Sequence, residues 1–241
     1  LNFLKADRIS HNKTDTNNGG WISTDYAGYN QDYPEADYAT RRKIEKSHEN
    51  YMRGYLHFLA TDQRVPQHVR DEMKTWGLAK DEFPETGGWP FQLYVRQARR
   101  LVGQYVMTQH DAERRTHFDD SIGMASYSLD SHYCQRIVDK GIVIQEGGFY
   151  KGVPGPYPVS YRALTPKAEE CENLLVPACC SASHVAYASV RMEPVFMILG
   201  QSSGTAVASA IDEEAPVQKI DIKKLQERLI ADRQILDLPA K

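Results

Sequence analysis

No glycine-rich turn of the form G-x-G-x-x-G occurs in the 241 residues. A dinucleotide-binding domain needs that turn between its first strand and helix, so that the backbone and the helix start can approach a pyrophosphate. The glycines that do cluster lie elsewhere: Gly147-Gly148, Gly152 and Gly155 sit among prolines and aromatics, and Gly19-Gly20 precede no helical run. Cysteine is scarce as well. Cys134, Cys171, Cys179 and Cys180 contain no C-x-x-C pair, which argues against a zinc site and a redox-active dithiol and gives no disulfide framework. Adjacent Cys179 and Cys180 point to opposite sides of an extended backbone and read as small buried residues. Neither sign of charge is in large excess, and a net charge of −3 gives no electrostatic case for nucleic acid or an anionic membrane. The least polar stretch, Val185 to Ala210, is interrupted by Arg191, Glu193 and Gln201 and reads as a buried helix rather than a membrane span. No targeting peptide is visible, and the first residue is Leu1 rather than methionine.

What the sequence does contain is concentrated between Asn173 and Ala208. This segment reads as a buried strand, a small-residue crossing loop, and a helix whose first turn is free to meet a ligand. Proline suits a first helical turn, so Pro194 places the helix start between Arg191 and Pro194, with Ser189 as the cap. The unpaired amides and positive dipole end of such a start favour an anion or an electron-rich carbonyl. Met192, Val195, Phe196, Leu199, Ser203 and Val207 form one core-facing stripe. Gly200, Gly204 and Ala208 recur every fourth residue on a second face nearly free of side chains, against which something must pack closely.

The remaining chain reads as mixed helix and strand. Residues 1–38 are rich in Asn, Asp, Gly and Tyr, including Trp21, Tyr26, Tyr29, Tyr33 and Tyr38, and read as irregular loop around one short strand. That mixture would suit a sugar pocket or an aromatic-pinned loop equally. A helix follows from Thr40 to Ala60, and a second runs from Pro66 to Trp76 before Gly77. Phe91 to Arg96 alternates like a strand. Arg96, Arg99 and Arg100 then read either as a clamp for a substrate carboxylate, with Arg100 foremost, or as salt-bridge partners of Asp81, Glu82 or Glu85.

His110, Asp111, His117, Asp119, Asp120, Asp130 and His132 invite a metal reading, but their spacing matches no metal motif. Thr108 and Asp111 look like a helix cap instead. Ser121 to Leu129 reads as a strand, continued so that Asp130 and His132 share a face. A carboxylate beside an imidazole fixes its tautomer and raises its basicity, which makes this pair a catalytic base candidate; a structural strand-end pair is the other reading. Ile142 to Glu146 begins another strand, Tyr161 to Leu164 is strand-like with Arg162 near the site, and Asp221 to Asp232 is an amphipathic closing helix.

These residues carry a resemblance. The segment 173–208, together with Tyr157-Pro-Val-Ser-Tyr-Arg162-Ala-Leu-Thr-Pro166, Leu93-Tyr-Val-Arg-Gln-Ala-Arg-Arg100-Leu-Val-Gly103 and Gly54-Tyr-Leu-His-Phe-Leu-Ala-Thr-Asp62, resembles the FAD-dependent oxidoreductases of glutathione-reductase-like fold, whose bacterial members are sometimes labelled xanthan lyase. The resemblance covers nearly the whole chain. It implies FAD as cofactor, with Arg191, Met192, Glu193 and Pro194 at the pyrimidine edge of the flavin and Cys180, Ser181, Ser183 and His184 along the ribityl chain. With the glycine-rich turn missing, the sequence reads as the C-terminal part of a longer flavoprotein whose partner is an absent nucleotide-binding half.

The expectation is an α+β chain with a substrate or cap region over 1–155 and the returning part of an FAD-binding domain over 156–241. The implied reaction passes hydride between an organic or sugar-like substrate and flavin, with Asp130, His132 and Arg100 on the substrate side. A uronate lyase and a non-catalytic carbohydrate-binding fragment are the alternatives. No metal, nucleic acid or membrane span belongs to this reading.

Overall fold

The computed structural model describes residues 5–17 and 22–238. Trp21, Gly19, Gly20 and Leu1 lie outside the described residues. In chain order the elements begin with β1 (Lys5–Ile9), β2 (Lys13–Asn17), α1 (Tyr38–Thr61), α2 (Gln67–Met73) and α3 (Gln109–Ala112). Then come β3 (Ser121–Ala125), β4 (Leu129–Ser131), β5 (Gln135–Asp139), β6 (Ile142–Glu146), β7 (Phe149–Lys151) and β8 (Tyr157–Ser160). The chain closes with α4 (His184–Val190), α5 (Glu193–Asp212) and α6 (Ile222–Ala231). Every strand pair is antiparallel, so the fold class is α+β. The chain divides into two compact units, one of Leu1–Val95 with His132–Gly148, the other of Arg96–Ser131 with Phe149–Lys241.

In the first unit, β1 and β2 form a hairpin paired from Lys5↔Asn17 to Ile9↔Lys13, where the sequence suggested one strand. Asp37 caps α1 by accepting from the Thr40 amide at 2.7 Å, which starts the helix two residues earlier than its apolar spacing implied. Tyr55 and Leu59 on its inner face meet Val65 and Met73 to make the unit's core. Pro66 precedes α2, which ends at Met73, short of Trp76. The β5–β6 hairpin turns through Lys140 and Gly141, both with positive φ (48° and 78°), the backbone handedness that matches two-residue turns to strand twist. The strand expected at Phe91–Arg96 does not form. Alternation needs a neighbouring strand to pair with, and here Phe91 and Tyr94 are 77% and 56% exposed.

In the second unit, β3 pairs with β8, with a register shift between Ser121 and Met124, and β4 pairs with β7. The expected strand 121–129 is thus broken after Ala125. Tyr161–Ala163 is a single 3₁₀ turn, so the strand, Tyr157–Ser160, lies four residues earlier than Tyr161–Leu164 suggested. Its position is fixed by Asp120, which accepts from the Ser160 hydroxyl at 2.6 Å and from Arg162 Nε at 2.9 Å.

The β3 strand packs on α5 so closely that a Cβ on Gly123 would run into Ile198 Cγ2. Buried Val195, Leu199, Ser202, Ser203, Ala206 and Ala210 line the inner face of α5, and full burial of one leucine such as Leu199 contributes about 2 kcal/mol. Val207, expected in that stripe, is 40% exposed, because the 3.6-residue period carries the buried line through Ala206 instead. Among the described residues, α5 is the one helix long and apolar enough by composition to cross a membrane. It contributes Val195, Leu199, Ala206 and Ala210 to the core cluster of the unit.

The segment 173–183 is a loop rather than a strand. Its backbone bonds go to two chain segments in turn: Val176 N to Leu164 O, Ser181 N to Ala163 O, and Ser183 N to Met107 O. In return Leu101 N donates to Cys179 O and Met107 N to Ser181 O. Gly103 lies at the tightest point of this crossing, where a Cβ would meet Thr165 O at 2.7 Å.

Candidate functional site

The site in the second unit is built where the crossing loop enters α4. Ser183 caps α4, its hydroxyl accepting from Ala186 N at 3.2 Å, and so places His184 at the first helical position. The His184 Nδ1 lies 2.6 Å from Gln97 Oε1. With that amide oxygen accepting, Nδ1 carries the proton and Nε2 faces the Ser131 hydroxyl at 3.4 Å. Phe149 meets the ring edge-on at 5.7 Å. Partial burial, then the charges of Arg100 and Arg191, hold the His184 pKa below the ordinary histidine value, so the imidazole is neutral at physiological pH.

The two arginines are held differently. Arg100 donates from Nε to Ala182 O at 2.9 Å and lies over the Tyr187 ring at 5.3 Å. Two of the acids named with the arginine cluster, Asp81 and Glu82, lie 3.0 Å and 2.5 Å from Lys13 Nζ. Arg191 is only 5% exposed. Its Nη2 donates to Asp130 O at 3.1 Å, while its buried Nε has no hydrogen-bond partner. No carboxylate pairs with it among the described residues.

Arg191 stands between two helices, as the C-cap of α4 and two residues before α5. The carbonyl end of α4 favours its charge, but the amide end of α5 opposes it. Met192 is the N-cap of α5 and gives no side-chain cap, Glu193 stands in the first turn, and Pro194 follows with no N–H of its own. Ser189, expected to cap this helix, is instead buried inside α4, with its hydroxyl donating to Tyr127 O and 2.6 Å from the Tyr157 hydroxyl. The helix that the sequence placed at Arg191 is therefore preceded by a separate seven-residue helix.

The crossing loop keeps its side chains for its own structure. Ser181 Oγ accepts from Gly103 N at 3.0 Å, and Cys180 is fully buried, which pushes its thiol up to about 12. The glycine face of α5 is open: a Cβ on Gly200 or Gly204 meets nothing within 4 Å, and Met197 and Ile211 stand 75% and 70% exposed. The closely packed neighbour expected there is not found among the described residues.

Asp130 and His132 have separate partners. The Tyr127 hydroxyl donates to Asp130 Oδ2 at 3.0 Å. His132 Nδ1 lies 2.6 Å from Asp25 Oδ2, and Arg136 fixes that segment through Asp25 O and Ser23 Oγ. β4 ends at Ser131 and the unit boundary falls before His132, so the strand alternation expected to place Asp130 and His132 on one face does not extend to His132. Asp111 closes a capping box with Thr108 and Asp120 pairs with Arg162, so both are structural anchors rather than metal ligands. Sequence reasoning missed Gln97, Phe149 and Asp25. Each reaches its histidine across 35 or more positions of chain, and no local pattern carries such a contact.

This is an α+β protein with a buried guanidinium just before a long helix, its Nε without a hydrogen-bond partner, a donor suited to an electron-rich or anionic group. The chain belongs to the FAD-dependent oxidoreductase family, whose model, "FAD dependent oxidoreductase", matches residues 1–229. Comparison with curated proteins and with solved structures gives no significant match.

Proposed function

We propose that the chain supplies the flavin-ring side of an FAD site in an oxidoreductase that passes hydride between an organic substrate and the cofactor. The observation that carries this reading is Arg191, a buried cation with an orphaned Nε beside the uncapped start of α5, in a chain of this family. Burying a guanidinium N–H without an acceptor is costly, and the electron-rich pyrimidine edge of a flavin would relieve that cost. Met192, Glu193 and Pro194 would frame this edge, and the backbone of Cys180 to Ser183 would follow the ribityl chain.

The flavin, when bound, supplies the hydride chemistry. The protein's own groups would do the rest. Arg100, whose Nε is engaged, would turn its outer nitrogens to a substrate carboxylate. Neutral His184 would orient a substrate hydroxyl through Nε2. His132, its tautomer set by Asp25, is the candidate base for a substrate proton, with Asp130 contributing charge on the substrate side.

The glutathione-reductase-like fold, with 156–241 as its returning segment and 1–155 as substrate region, belongs to this proposal. So does a separate nucleotide-binding segment: the pyrophosphate turn is not in this sequence, and the open Gly200–Gly204–Ala208 face offers it a close-packing surface. The full-length protein is expected to purify yellow and to lose its colour on Arg191→Ala with its fold retained. A colourless protein that cleaves uronate polymers would contradict the proposal and point to a lyase.

A further inference from the structure

A groove in the first unit plays no part in the flavin reading. Along α1, Lys43, Lys46, Ser47 and Asn50 recur at i, i+3, i+4 and i+7 and share one face. With Tyr26 and Tyr51 they line an open groove of about 520 Å³. Its aromatic wall is unusual in what it presents. Tyr26 is stacked on Tyr29 (centroids 3.9 Å apart, planes at 5°) and on Tyr51 (4.3 Å, 13°). Two rings cannot both stack on one face at such distances, so Tyr29 and Tyr51 cover opposite faces of Tyr26. His48 meets the ring in a T at 5.2 Å, so what Tyr26 shows the groove is the rest of its rim, the positive part of an aromatic quadrupole.

The cations are available. Lys43 is exposed and has no ion-pair partner among the described residues. Lys46 meets Glu49 at 2.9 Å, but Glu49 also receives Arg53 at 2.7 Å, and an exposed pair of this spacing contributes only about 0.5 kcal/mol. The wall is pre-formed, because Tyr51 donates to Ser23 O at 2.7 Å and Tyr55 to Ile22 O at 3.1 Å. A rigid site loses less on binding.

We propose that this groove binds an anionic polyol, a sugar acid or a sugar phosphate. Lys43 and Lys46 meet the charge, while Ser47, Asn50 and the Tyr26 hydroxyl meet ligand hydroxyls. Covered ring faces leave no platform for stacking a neutral sugar, and the paired ammonium groups repel a cationic ligand.

The test is heteronuclear NMR of the whole chain, titrated separately with glucuronate, glucose 6-phosphate, glucose and inorganic phosphate. Amide shifts over residues 43–51 are expected with one or both charged sugars, tighter glucuronate binding marking a carboxylate site and tighter glucose 6-phosphate a phosphate site. Lys43→Glu, an exposed change that leaves the fold intact, should weaken that binding by about tenfold or more. Tyr26→Phe, which keeps the stack, should weaken it by a few-fold. The proposal is overturned if neither charged sugar shifts these amides, if glucose or inorganic phosphate binds as tightly, or if Lys43→Glu leaves the affinity unchanged.

Discussion

His184 is a neutral imidazole within the field of two guanidinium charges, and that environment has a measurable consequence. Its folded pKa lies below the ordinary 6.5 because of burial, Arg100 and Arg191. A group of this kind binds fewer protons in the folded than in the unfolded state at mildly acidic pH. Its contribution is complete above about pH 6.5 and is lost as pH falls toward the folded pKa. Arg100→Gln should therefore raise the His184 pKa toward its ordinary value, read from the imidazole proton shifts in an NMR titration. An unchanged titration would mean that the guanidinium charge does not reach the ring. At this scale the sequence showed which residue types carry the chemistry but not their partners. Arg100, His184 and Arg191 do converge on one region. The pairing read for Asp130 and His132 came from alternation along one strand, and alternation says nothing about Asp25, 107 positions away.

The elements were legible where local chemistry specifies them. The Thr108–Asp111 capping box, the helix after Asp37 and the terminal α6 all carry signals within a few residues. Segments set by tertiary pairing were not. Phe91–Arg96 alternates but finds no neighbouring strand, and 173–183 spends its hydrogen bonds on two other segments instead of joining a sheet. Ser189 looked like a cap because α4 and α5 are separated only by Arg191 and Met192. The crossing of 101–107 with 176–183 allows a direct test at Gly103. A methyl group there meets Thr165 O at 2.7 Å, Arg162 O at 3.1 Å and Ser181 Cβ at 3.1 Å. Two of these are backbone atoms that cannot turn away. Gly103→Ala should destabilise the protein by roughly 1–3 kcal/mol in denaturant unfolding, whereas Gly200→Ala, on an open helix face, should stabilise it by about 0.5–1 kcal/mol. Equal effects would mean that the crossing is looser than its hydrogen bonds imply.

For the molecule as a whole, the α+β class and the family were both legible, because the motif series at 54–62, 93–103, 157–166 and 173–208 extends over most of the chain and the family match runs over residues 1–229. The division into units was harder to read. His132–Gly148 joins the N-terminal unit although 96–131 belongs to the other, and such a return leaves no mark in composition. The chain as a flavin-ring half-site is tested most directly by titrating it with FAD and, separately, with lumiflavin, following flavin fluorescence in the unaltered chain and in Arg191→Met. If the pyrophosphate cradle is supplied elsewhere, both ligands should bind weakly, within about tenfold of each other, and both should lose affinity in Arg191→Met while far-UV circular dichroism stays the same. Tight stoichiometric binding of FAD by residues 1–241, or flavin binding indifferent to Arg191→Met, would contradict it.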